Sequence, residues 1–190
     1  FDSTNVVARP AATIITPVGM DHMAFLGDTL AKIAGEKAAI QKSGVPSIVG
    51  PQERAASEVI FEAAQNAGAD LFRWGVDWSA ETTREGMRYM SGDITLDLPQ
   101  PALLGRHQVV NAGMAIAALE RLQPFAVYDW AIRKGLREVV WPGRMQRLLG
   151  PLSRALPSDW ELWLDCAHNP AATTVLAESL EAWTDRPLHV

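Results

Sequence analysis

Four short stretches hold the residues best suited to chemistry. Asp21-His22 follows an apolar run, Ala12 to Thr16, that ends at Pro17 and Gly19. Either side chain could hold a metal; by type alone magnesium favours the aspartate oxygen, and a histidine in a loop is equally ordinary. Lys37 shares a helical face with Leu30, Ile33 and Ile40, in the phase of a core-facing stripe. A buried ammonium is costly, and burial lowers its pKa. Such a lysine must pair with a carboxylate, lie along apolar surface with its tip in water, or be chemically altered. The third stretch is His107, Gln108 and Asn111 in the first turns of a helix whose apolar face is Val109, Ala112, Ile116 and Leu119. The unpaired N–H groups there suit a nucleotide, although a helix-start amide can simply satisfy backbone. In the fourth, Arg144 follows a Pro142-Gly143 turn and Asp165 closes the apolar ELWLD, with Cys166 and His168 just beyond. The planar guanidinium fork of Arg144 suits phosphate or ribose oxygens. A thiol nucleophile with His168 as its base is conceivable, but nothing else in the chain supports it, and Cys166 reads as a small packed side chain.

These residues need a scaffold of alternating strands and helices. The spacing predicts a strand over Ala12–Thr16, a helix from about Leu30 to Lys42 capped by Asp28 or Thr29, and a strand in PSIVG. A helix over residues 52–67, closed by Gly68, and a strand near Leu71–Trp74 continue the alternation, which indicates βαβ units and a largely parallel sheet. Residues 76–99 differ. MRYMSG and ITLDLP, around Gly86 and Gly92, predict an antiparallel excursion in which Trp74 and Trp78 pack rather than recognise. After the helix containing VYDWAIRKGLREV, MQRLL and ELWLD read as strands of a second α/β region, with a helix from about Ala171 to Trp183. Asp21 and Asp165 then both fall at strand carboxyl ends, where open α/β sheets place ligands.

The run DHMAFLGDTLAKIAGEKAAI resembles the signature of the folylpolyglutamate synthase/dihydrofolate synthase family, within the Mur-ligase superfamily. FDSTN, HQVVNA, WPGR and DCAHNP extend the likeness in the family's order. The resemblance implies an α/β, Mur-ligase-like fold: part of a P-loop-type ATPase domain with a mostly parallel sheet over 1–142, then the start of a Rossmann-like C-terminal, glutamate-binding domain over 143–190. It implies a ligase that uses ATP and Mg2+ to add L-glutamate to dihydropteroate, reduced folates or both, through an acyl phosphate. By the same resemblance His22 is a metal ligand, Lys37 carries a carbamate, and Asn111, Arg144 and Asp165 bind the nucleotide. His168 positions glutamate, while Phe1, Asp2 and Ser3 contact the pterin substrate. One departure is Ala39, where the family usually has glycine. A peptidoglycan-type Mur ligase, or a noncatalytic module that kept the fold, are the alternatives.

Composition excludes more than it assigns. With 48% hydrophobic and 21% charged residues the chain is globular material, and a net charge of −5 without a Lys/Arg cluster argues against a nucleic-acid surface. No apolar run approaches the roughly 20 residues that span a bilayer. The single cysteine, Cys166, precludes an internal disulfide and suits a reducing cytoplasm. A cytoplasmic monomer acting on small molecules is the expectation. The chain opens on FDSTN and closes on DRPLHV, and it contains no G-x-x-x-x-G-K-S/T phosphate loop. It therefore reads as a segment of a longer enzyme, inactive toward ATP by itself.

Overall fold

A computed structural model describes residues 4–122, 125–181, 183–185 and 187–190. Short strands at Thr13–Ile15 (β1), Pro46–Val49 (β2) and Asp70–Arg73 (β3) pair in parallel, in the order β1-β2-β3. The helices between them are amphipathic, so each places one face on this sheet. Leu30–Ala38 (α2) buries Ile33, Ala34 and Ala38; Arg54–Ala67 (α3) buries Ala56, Ile60 and Ala64. With Ile15, Val18 and Val49 they form one core. Thr29 is the cap foreseen for α2, its hydroxyl accepting from the Lys32 N–H at 3.3 Å.

Helix α2 ends four residues before the expected Lys42, and the cause is Gln41. Its side chain is buried and donates to the Ser47 hydroxyl at 3.1 Å. Tight turns at Ile40 and Gln41, which bond back to Lys37 and Ala38, take the chain off the helical path to bring that amide under β2.

The antiparallel excursion is a three-stranded meander, Trp78–Thr83 (β4), Gly86–Ser91 (β5) and Ile94–Leu98 (β6). Alternation turns Trp78, Ala80, Met87, Tyr89 and Leu98 toward the long helix Arg106–Arg121 (α4), and together they make the second core. Gly113 permits the close approach, because a Cβ there would lie 2.6 Å from the Ala80 Cβ and 2.9 Å from Trp78 Cζ3. The fully buried Tyr89 hydroxyl donates to Glu120 at 2.8 Å, and burial together with that carboxylate pushes its pKa well above the usual phenol value. Trp78 packs as expected, whereas Trp74 is 39% exposed.

Asp129–Glu138 (α5) leads to the turn before Arg144. Beyond it, Gln146–Leu148 (β7) and Leu162–Leu164 (β8) pair antiparallel around the short helix Pro151–Arg154 (α6). The last helix, Pro170–Leu180 (α7), starts one residue earlier and ends three earlier than expected, with Pro170 at its first position and Asn169 as its cap. No residue after Met145 is buried among those described. A four-residue helix, Met23–Leu26 (α1), follows His22. None of the described helices is long and apolar enough to cross a membrane.

Candidate functional site

The loop leaving β1 is clamped before it reaches its polar residues. Gln52 accepts from the Val18 N–H at 3.0 Å and donates to the Thr16 carbonyl at 2.9 Å. Past this clamp His22 adopts φ 49°, ψ 36°, a left-handed conformation that few side chains tolerate, and its N–H donates to Asp21 Oδ1 at 2.8 Å. The second Asp21 oxygen reaches across the molecule. Asn169 Nδ2 donates to it at 2.8 Å, while Asn169 Oδ1 accepts from the Ala172 N–H and caps α7. One asparagine thus starts a helix and ties together segments 148 residues apart. Desolvation pushes the Asp21 carboxyl up, but the Asn169 amide, the His22 N–H and the two histidines outweigh it and hold it below the ordinary carboxylate value.

His168 completes this group. Its Nδ1 lies 2.8 Å from the Cys166 carbonyl, which can only accept, so Nδ1 is the donor and Nε2 is left for other contacts. That Nε2 is 3.8 Å from Asp21 Oδ2, and the His22 and His168 rings are 6.5 Å apart. The potential ligand atoms of Asp21, His22 and His168 all lie within 4.8 Å of one another. One carboxylate oxygen fits magnesium, which usually takes one or two protein carboxylates and fills its shell with phosphate and water. The two imidazoles are less typical partners for so hard an ion.

A second group forms where α4 begins. Asn111 Nδ2 donates to Gln108 Oε1 at 3.0 Å, and Gln108 Nε2 lies 2.8 Å from His107 Nε2. Burial pushes the His107 pKa down; the Asp165 carboxylate works against this, Arg144 adds to it and Glu178 opposes it. Helix α7 is adjacent too, since a Cβ on Gly105 would come 3.0 Å from the Ser179 hydroxyl. Asp165 serves the turn as well: Oδ2 accepts from the Met145 N–H and Oδ1 from the Ala167 N–H, both at 2.8 Å. Arg144 is exposed and makes no ion pair among the described residues.

The structure therefore gathers His22 with His168, and Asn111 with Arg144 and Asp165 through His107. It does not join Lys37 to either group. Lys37 is half-buried, and its side chain makes no hydrogen bond or ion pair among the described residues. Phe1, Asp2 and Ser3 lie outside the described residues. Cys166 departs from the expected packing: it is exposed, although its Sγ sits against Gly143, and His168 bonds its carbonyl rather than its thiol. Cavities of about 490 and 340 Å³ lie elsewhere and take in none of these side chains.

Sequence reasoning passed over Asn169 and left His107 and Gln108 without roles. An asparagine directly before a proline is a helix-cap signal that could have singled out Asn169. Nothing local encodes its bond to Asp21.

No family model matches the chain. A dihydrofolate synthase/folylpolyglutamate synthase of Bacillus subtilis is 35% identical over 189 residues, covering 95% of this chain and 42% of that protein. The structure of Escherichia coli FolC in complex with DHPP and ADP superposes with a TM-score of 0.80 at 32% identity, over 100% of this chain and 41% of that one. The apo form of L. casei FPGS gives 0.83 at 28% identity, over 98% and 45%. The chain spans about two fifths of the length of the Bacillus subtilis relative and of its Escherichia coli counterpart. With this fold and these relatives over nearly its whole length, the chain belongs to the folylpolyglutamate synthase/dihydrofolate synthase family of Mur-type ligases.

Proposed function

We propose that this chain supplies part of the active site of an ATP-dependent ligase that joins L-glutamate to dihydropteroate, a reduced folate or both. The observation that carries this reading is the convergence of the β1 loop, the α4 start and the Asp165–Asn169 segment, which come from distant parts of the chain. Support comes from relatives named for this activity and from the complex of E. coli FolC with DHPP and ADP.

In the proposed reaction a carboxylate oxygen of the pterin substrate attacks the γ-phosphorus of ATP, and ADP leaves. The glutamate amine then attacks the acyl phosphate, loses its proton and expels phosphate. Such transfers depend mainly on positioning and charge neutralisation. Asn111 faces the nucleotide base, Arg144 neutralises phosphate charge, and Asp165 holds the turn that carries Arg144. His168, exposed beside Asp21, orients the incoming glutamate. Asp21 and His22 are the residues that would hold magnesium, which would supply charge neutralisation at the phosphates. Lys37, half-buried and with a side chain that has no partner among the described residues, is the candidate carbamate carrier: a neutral amine takes up carbon dioxide and becomes an anion. These 190 residues contain no phosphate-loop sequence, so they are not expected to turn over ATP unaided.

Titration of isotope-labelled chain with MgATP tests the reading. Resonances of Asn111, Arg144 and the His22 and His168 rings should move together and saturate with one affinity. Shifts confined to other surfaces would remove the proposal. Native mass spectrometry in bicarbonate adds a check on Lys37, where a carbon dioxide adduct should form and be absent from Lys37→Arg.

A further inference from the structure

Three side chains where the β1 loop meets the start of α7 are set out like the ligands of a transition-metal ion. Asp21 Oδ2 lies 3.7 Å from His22 Nε2 and 3.8 Å from His168 Nε2. One potential ligand atom from each of the three falls within 4.8 Å of the other two. Around a tetrahedral zinc ion, bonds of about 2.0–2.1 Å put neighbouring ligand atoms about 3.3 Å apart. The two Asp21–imidazole distances therefore need to close by about half an ångström. The rings have room to do so, since the His22 and His168 side chains are 61% and 66% exposed.

The surroundings supply what such a site needs behind its ligands. A metal-bound imidazole as a rule donates its other ring N–H to a carbonyl or carboxylate, and a bound carboxylate is itself hydrogen-bonded. His168 Nδ1 donates to the Cys166 carbonyl at 2.8 Å, which leaves Nε2 as the coordinating atom. Asn169 Nδ2 donates to Asp21 Oδ2 at 2.8 Å, and that oxygen keeps a further lone pair. His22 is held by its backbone, at φ 49° with its N–H on Asp21 Oδ1, beside the carboxylate. Two nitrogens and one oxygen suit a borderline cation such as zinc, whereas magnesium prefers oxygen throughout.

We infer that Asp21, His22 and His168 form a three-ligand site for a zinc-class divalent cation, which ties the β1 loop to the Asp165–Asn169 segment. The site stands on the geometry of this corner, while its consequence rests on the roles proposed above for His22 and His168. An ion held by both imidazoles leaves neither free for magnesium or glutamate, so a zinc-class cation excludes both.

The test titrates the full 190-residue chain with Zn2+ in a background of Mg2+, followed by calorimetry and by imidazole nitrogen shifts. One zinc should bind per chain against about a hundredfold excess of magnesium, moving Nε2 of His168 and a ring nitrogen of His22. His22→Gly, which suits the left-handed backbone, and His168→Ala should each weaken zinc binding by about a hundredfold. Asn169→Ser keeps a capping hydroxyl but loses the donor to Asp21, and should weaken it by about tenfold. Cys166→Ser should leave it unchanged, because the thiol sits against Gly143. Full affinity in His22→Gly or His168→Ala, or displacement of zinc by that excess of magnesium, would overturn the inference. Loss of binding in Cys166→Ser would overturn it too, by placing the ion on the thiol. Any of these results with the MgATP response intact leaves the ligase reading in place. Zinc binding by a chain that does not respond to MgATP upholds the site and removes its consequence for the ligase.

Discussion

The meander β4–β6 with α4, and the segment from Gln146 onward, treat apolar side chains in opposite ways. In the first, Met87, Tyr89, Trp78 and Val109 are each no more than 3% exposed, and Gly113 lets helix and sheet approach until little space remains. In the second, Leu149 is 83% exposed, Leu152 70% and Leu164 43%. Residues 146–190 are joined to the rest largely by directed polar contacts: Asn169 to Asp21, Asp165 to the Met145 N–H, and the Cys166 N–H to the Gly143 carbonyl at 2.9 Å. Packing is hard to reverse piecemeal, whereas a few hydrogen bonds can be exchanged for bonds to a ligand. The candidate site lies along that exchangeable seam, with the rigid core behind it.

Substitutions can break this contrast or sharpen it. The largest effect is expected from Met87→Ala, which removes a fully buried side chain from the second core and should lower unfolding free energy by about 3 kcal/mol in denaturant titration. Asn169→Ala should cost about 1 kcal/mol through the lost α7 cap. It should also let the Asp21 carboxyl rise back toward its ordinary value of 3.8, read from carboxyl carbon shifts. Asn169→Asp keeps a capping oxygen but sets a second carboxylate against Asp21, so the Asp21 pKa should rise further while α7 persists. An unmoved Asp21 in both variants would show that the polar tie is not what joins the two regions.

A subtler effect is the pH response of His107. Its pKa is lowered in the folded chain, so on acidification the unfolded chain takes up the proton first. The contribution is therefore fully present above the unfolded value of 6.5 and lost as pH falls from there toward the lowered folded value. Stability curves of wild type and His107→Gln should run parallel above that point and converge below it. The smallest change is expected from Leu164→Ala, within about 0.5 kcal/mol, because the side chain is already 43% exposed. A loss like that of Met87→Ala would mean that the second region has a core of its own.

Much of the scaffold was legible because it follows local rules. The apolar runs that became β1–β3, the 3.6-residue periodicity of α2–α4 and the glycine-punctuated meander each announce themselves within a dozen residues. Lys37 was legible in the same way, its half-buried place following from its phase on α2. The end of α2 was not, since a buried glutamine reaching Ser47 overrides helix propensity. Nor were the ties of the site. Asp21 was legible as an oxygen that could hold a metal, but not as the carboxylate on which His22, His168 and Asn169 converge, because residues 148 apart in sequence meet there. Cys166 misled through composition, since small apolar residue types usually pack and this one is exposed.

The backbone at His22 sets durability against chemistry at a single position. At φ 49° a glycine would rest without penalty, whereas a side chain there costs about 1 kcal/mol. Trading the imidazole for glycine would thus give a sturdier loop and a poorer ligand set. Screens for thermal tolerance alone would therefore be drawn toward a replacement that takes away one of the two imidazoles in this corner.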